Sequence, residues 1–216
     1  MASTSTKTSS SSSNLPDKYD VFLSFRGEDT RTNFVDHLYA GLVANGFHTF
    51  RDDEQLERGG EISSQLLDAI EESRICIVVF SENYADSRWC LNELLAISES
   101  IPSDDSRIAL PIFYLVNPSD VRHQTGSYAT RNTSPDEDAD KEKVEMIKKW
   151  RNALTLAANL SGYHVDRKML VFVCNFSPFC LLIYFLVNYN KFYNLYFVIW
   201  KRCPVEAINR IPHLFS

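Results

Sequence analysis

The stretch RICIVVFSENYADSRWCLNELLAI, Arg74 to Ile97, changes its hydrophobic rhythm halfway. Its first part, RICIVVF (74–80), is a short β-branched run with little polar alternation, which suits a strand buried on both faces of a parallel sheet. Its last part sets Leu91, Leu94 and Leu95 three and four residues apart, the spacing of one helix face. A polar connection, SENYADS, lies between them. Strand, connection and helix in that order form one unit of an α/β fold.

The same alternation runs outward in both directions. YDVFLSF (19–25), FHTFRD (47–52) and ALPIFYLV (109–116) are further short apolar runs bounded by turn residues. Between them, TNFVDHLYAGLVANG places Phe34, Leu38 and Leu42 four apart and stops at Gly46, a residue suited to end a helix. EISSQLLDAIEES repeats the pattern with Ile62, Leu66, Ala69 and Ile70. EKVEMIKKWRNALTLAANLSG aligns Val144, Ile147, Trp150 or Arg151, Leu154, and Ala157 or Ala158. These observations predict a doubly wound α/β fold, a parallel sheet of four to five strands with helices on both faces. A fifth strand is expected within 117–140. In the common strand order 2-1-3-4-5, ligands bind where the order reverses, outside the carboxyl ends of the first and third strands.

The two ends are unlike this middle. Residues 1–17 are Ser/Thr-rich with almost no apolar side chain, so they read as a disordered leader without the apolar core of a secretory signal. Residues 18–166 form the domain. Residues 167–216 form a hydrophobic tail in which 169–190 carries no charge and has the length to span a bilayer. Asn175, Ser177, Pro178, Asn188 and Asn190 sit poorly in hydrocarbon, and the run has no helix or strand period. It reads either as a membrane segment or as translated intron sequence appended to a finished domain.

Charge and motifs exclude several functions. A net charge of −6 disfavours nonspecific nucleic-acid binding, which needs a basic surface to neutralise phosphates. The five cysteines contain no C-x-x-C pair and are odd in number, as in reduced thiols of a cytoplasmic protein. The histidines lack metal spacing, and the P-loop, G-x-S-x-G and G-x-G-x-x-G patterns are absent. No metal or cofactor is expected.

The residues left for chemistry sit at the strand-order reversal. Glu93 follows Trp89 by one helical turn on an otherwise apolar helix. It is either a solvated first-turn carboxylate favoured by the helix dipole, or a working acid at the crevice. Trp89 is either core or a wall on which a flat ring stacks. In SFRGEDTR (24–31), Gly27 permits a tight turn, and Arg26 with helix-start amides suits an anion such as pyrophosphate. The alternative is a surface loop in which Asp29 or Thr30 caps the helix while Glu28 and Arg31 are solvated. RDDEQLERGGE (51–61) reads as a lid, a contact surface or a plain solvated connection. Cys76 and Cys90 read as buried fillers.

Taken together, YDVFLSFRGEDTRTNFVDHLYAGL, GFHTFRDDEQLERGGEI, ESRICIVVFSENYADSRWCLNEL and LPIFYLVNPSDVRHQTGSY closely resemble the Toll/interleukin-receptor (TIR) domain of plant immune receptors, from about Lys18 to Val165. The resemblance implies a flavodoxin-like fold, self-association with other TIR domains, and NAD glycohydrolase activity switched on by assembly, with NAD as substrate. It implies that Glu93 is the catalytic glutamate of the W-C-L-x-E-L motif. Phe25, Arg26, Gly27 and Trp89 are implied as substrate-binding, and His37, Arg58, Gly59 and Gly60 as contacts to a neighbouring protomer. The chain is expected to be cytoplasmic or nucleocytoplasmic, with membrane contact only through the uncharged run 169–190. Two departures stand out: Asp36 precedes His37 where the family often has Ser-His, and ATRNTSPDEDADKE (129–142) is polar where an amphipathic helix is usual. The alternative function is a TIR–TIR interaction module without turnover.

Overall fold

A computed structural model of the chain describes residues 18–51, 64–100, 107–130, 132–134 and 140–167. Five parallel strands, β1 (Tyr19–Phe25), β2 (Thr49–Arg51), β3 (Ser73–Phe80), β4 (Ile108–Tyr114) and β5 (Tyr163–Val165), form one sheet in the order β2-β1-β3-β4-β5. Register is set at the centre, where Phe25 lies opposite Val79 and Phe80 opposite Phe113. The helical elements are α1 (Gly27–Thr30), a π-helical stretch (Arg31–Val35) continuing into α2 (Asp36–Ala44), α3 (Ser64–Glu71), α4 (Arg88–Ser100), α5 (Pro118–His123) and α6 (Lys141–Asn159).

The fifth strand is at 163–165 and not within 117–140, where the described residues form α5 and a short turn at Gly126–Tyr128. The local reason is clear. Asn117 accepts a hydrogen bond from the Ser119 amide and Pro118 occupies the first helical position, so the chain starts a helix where a strand would need free donors. In the polar segment that follows, residues 129, 130 and 132–134 form no helix, while Lys141 and Glu142 open α6. Asn132 instead donates to the Ala85 and Asp86 carbonyls, and Thr133 to the Tyr128 carbonyl at 2.6 Å.

Strand parity divides the core into two layers. Val21, Leu23, Phe25, Ile75, Ile77, Val79, Ile112 and Tyr114 point to one face and pack on Phe34, Val35, Leu38 and Leu42. Phe22, Cys76, Val78, Phe80 and Phe113 point to the other and pack on residues of α3, α4, α5 and α6. On α6 the buried stripe is Ile147, Trp150, Ala153, Leu154, Ala157 and Ala158, while Arg151 is exposed. Each fully buried Phe or Leu of these layers contributes about 1.5–3 kcal/mol relative to exposure.

Two glycines have structural work. Gly46 takes φ +81°, the left-handed conformation that ends α2. At Gly162 a Cβ atom would sit 2.4 Å from the Pro111 carbonyl oxygen, because the chain crosses β4 closely as it enters β5. Gly162→Ala is expected to destabilise the fold by about 1–3 kcal/mol, through displacement of β5, measured as a lower midpoint of chemical unfolding.

Candidate functional site

The reversal of strand order falls between β1 and β3, so the rim of interest is built from Ser24–Thr30, the connection Ser81–Ser87 and the start of α4. Alternation along β1 separates neighbours here. Ser24 follows Phe22 onto the α4 side, whereas the Phe25 ring joins the layer on the α2 side, beneath the Arg31 guanidinium at 5.2 Å. Phe25 therefore contributes its backbone to the Glu93 side: its carbonyl oxygen accepts from the Cys90 thiol at 3.6 Å.

Helix α4 starts at Arg88 because the Ser87 hydroxyl oxygen accepts from the Cys90 amide at 3.2 Å. Its inward face carries Cys90, Leu91, Leu94 and Ile97, and with them Glu93. Glu93 is only 3% exposed, so the solvated reading of this side chain is excluded. Its Oε2 accepts from the Ser24 hydroxyl at 2.6 Å. Ser24 Oγ also lies 2.9 Å from the Tyr84 hydroxyl, which donates to the Cys90 carbonyl at 3.0 Å. Trp89 is half-buried and packs against the core layer on this side, so part of its ring serves the core.

Buried polar groups around Glu93 are held in their neutral forms. Burial pushes the Tyr84 phenol well above its usual range, with Cys90 and Glu93 pushing the same way. Burial likewise pushes the Cys90 thiol up, and the Glu93 carboxylate adds to it. Cys76, further from the site, is pushed up to about 12 by burial. Both thiols are free and buried, as fillers would be.

The loop after β1 departs from the capping reading of its sequence. Gly27 opens α1 without a left-handed backbone, and a Cβ there would meet only the movable end of the Arg31 side chain, at 2.9 Å. Neither Asp29 nor Thr30 caps a helix. Thr30 donates to the Arg26 carbonyl, and Asp29 reaches across the rim to accept from Ser81 Oγ at 2.6 Å, the Asn83 amide at 3.0 Å and Asn83 Nδ2 at 3.2 Å. Arg26 is surrounded by acids: Glu28 at 2.6 Å, Asp29 at 3.7 Å and Asp86 at 3.9 Å, and it donates to the Asn83 carbonyl. An incoming anion at Arg26 must displace these carboxylates.

His37 is exposed at the start of α2, apart from this rim. Asp36 beside it accepts from Arg51 at 2.5 Å, and that guanidinium covers the Tyr39 ring at 4.3 Å, which ties α2 to the end of β2. Arg58, Gly59 and Gly60 lie outside the described residues, as do residues 1–17 and 168–216. Among the described residues no helix is long and apolar enough to cross a membrane. The participants that sequence reasoning missed are Ser24, Tyr84, Ser81 and Asn83. Only Ser24 left a trace, as a hydroxyl within the apolar run Val21–Phe25 whose burial demands a partner.

Comparison with known proteins adds relatives to this geometry. The family model described as TIR domain matches residues 18–171. Disease resistance protein RPV1 of Vitis rotundifolia is 55% identical over 170 residues, covering 76% of this chain and 12% of its own length. TMV resistance protein N of Nicotiana glutinosa is 54% identical over 153 residues, covering 71% of this chain and 13% of its own. The chain thus spans about an eighth of the length of these relatives. Among solved structures, the TIR domains of the activated Roq1 resistosome, described as directly recognising the pathogen effector XopQ, superpose with a TM-score of 0.60 at 46% identity. That match covers 73% of this chain and 98% of the other.

Proposed function

The chain belongs to the TIR-domain family, and from that premise we propose that it cleaves NAD to nicotinamide and ADP-ribose, or its cyclic variants, when assembled with other TIR domains in plant immune signalling. The observation that carries the reading is the Glu93 carboxylate, almost fully buried at the strand-order reversal and held there by Ser24. Relatives named for disease resistance, and a structural neighbour taken from a resistosome, support the setting and the self-association.

One carboxylate suffices for this chemistry. Most glycosidases need a second acid to protonate the leaving oxygen. Nicotinamide leaves from a cationic nitrogen and departs neutral, so no leaving-group proton is required. As the C–N bond lengthens, positive charge moves to the ribose carbon, where a fixed, poorly solvated carboxylate offsets it without reorganising. The Glu93 side chain is then the catalytic residue, Trp89 supplies a flat apolar wall, and Arg26 meets the pyrophosphate.

The resting arrangement supports dependence on assembly. Glu93 is closed off from solvent, and Arg26 already satisfies three carboxylates. Substrate entry requires the 81–87 connection and the Arg26 cluster to rearrange, and a neighbouring protomer is the agent for that change. The same closure is what favours the second reading, a TIR–TIR interaction module without turnover.

The test is a titration of the full-length chain with nicotinamide release from NAD as readout. Release that rises faster than linearly with protein concentration is the expected result. No release at any concentration, from a folded chain that self-associates, rejects the enzyme and leaves the interaction module.

A further inference from the structure

We propose that Ser24 is the positioning residue of Glu93: its hydroxyl proton holds the Glu93 carboxylate in one rotamer and favours its ionised form. The consequence for turnover rests on the NAD-cleaving function proposed above; the Ser24–Glu93 relation itself does not.

A carboxylate removed from water is unstable unless its lone pairs meet donors. The Ser24 hydroxyl is fully buried and lies 2.6 Å from Glu93 Oε2, within the range of charge-assisted hydrogen bonds between oxygens. A serine has one proton to give, and two oxygens flank it, Glu93 Oε2 and the Tyr84 hydroxyl. The shorter contact to a carboxylate oxygen favours Glu93 as the receiver. Burial keeps the phenol protonated far above its usual range, so Tyr84 remains a donor throughout neutral pH. Its O–H lies within reach of Ser24 Oγ at 2.9 Å and the Cys90 carbonyl at 3.0 Å. With the Tyr84 proton given to the Cys90 carbonyl, the Ser24 proton goes to Glu93, the nearer and more strongly accepting of its two neighbours.

Four described titratable neighbours, Cys90, Tyr128, Arg26 and Asp29, do not compete for that proton. Cys90, on α4, is held as a thiol and lends no charge. Tyr128 is pushed well above its usual range by burial and donates away from the site, to the Ser81 carbonyl. Arg26 and Asp29, on the rim, act on Cys90 with opposite signs and pair with each other at 3.7 Å.

Strand geometry makes Ser24 hard to replace in this role. It lies at the carboxyl end of a central strand, flanked by β2 and β3, so its oxygen is placed by the backbone of the sheet. A donor on such an element holds position more tightly than one on a loop.

The experiment labels glutamate at the side-chain carboxyl carbon in the full chain and follows the Glu93 resonance with pH, assigned by its loss in Glu93→Gln. In Ser24→Ala the ionisation midpoint is expected to move up by about one pH unit, the effect of losing one hydrogen bond to a charged acceptor. Ser24→Cys, nearly isosteric and a weaker donor, is expected to fall between, and keeps the test open should the alanine chain not fold. The acid limb of nicotinamide release should move with the midpoint. A midpoint that stays fixed or moves down in both variants overturns the proposal, even where the variants unfold more easily. If no variant and no wild-type chain releases nicotinamide, the NAD reading fails while the resonance still decides the role of Ser24.

Discussion

Glu93→Gln is expected to lower nicotinamide release by at least about a hundredfold, the scale of removing one preorganised electrostatic contact to a transition state. Glutamine has the same shape, and its amide oxygen still accepts from Ser24, so the packing of α4 on β1 is preserved. What disappears is the negative charge that the proposed mechanism sets opposite the ribose carbon. Because that charge is only 3% exposed, its removal also relieves a desolvation penalty, and the variant is expected to unfold at an equal or higher temperature. An inactive chain that is no less stable is the combination a purely structural glutamate does not give. Release that persists in Glu93→Gln would move the chemistry to other residues.

Asp29→Ala carries the largest expected loss of stability. One side chain accepts three hydrogen bonds, from the buried Ser81 hydroxyl and from two groups of Asn83, and so ties the loop after β1 to the connection after β3. Alanine leaves the Ser81 hydroxyl and the Asn83 amide without their acceptor and Arg26 with one carboxylate fewer. A cost of about 2–4 kcal/mol is expected, read as a lower urea midpoint at unchanged slope. Asp29→Asn keeps one acceptor oxygen and should lose less. If alanine changes stability by less than about 0.5 kcal/mol, the range of ordinary surface substitutions, the rim is not held by Asp29.

Much of the fold is legible because its signals are local and repeated. The runs at 19–25, 74–80 and 109–116 announce buried strands, and the three- and four-residue spacing of Leu91, Leu94 and Leu95 announces α4. The stop at Gly46 has a mechanism that the observed φ of +81° shares. The fifth strand was misplaced because Tyr163–Val165 is three residues long and has too few positions to show a period. The loop at 24–31 was misjudged in a different way. Asp29 looks like a cap when only its near neighbours are considered, yet its partners are 52 and 54 residues away.

The order of strands and helices as far as β4, the parallel sheet, the apolar residues of both layers and the place of Glu93 near the reversal of strand order were therefore legible without the structure. Each of these follows from periodicity or from a topological rule that any α/β chain obeys. The burial of Glu93, its hydrogen bond from Ser24 and the acids around Arg26 emerge only in the folded chain. Ser24 and Glu93 are 69 residues apart, and their meeting depends on two things at once. The parity of β1 turns Ser24, and not Phe25, toward α4, and the start of α4 at Arg88 turns Glu93 inward to meet it. A shift of one residue in the strand would put Phe25 against the carboxylate, because alternate side chains face opposite sides of the sheet.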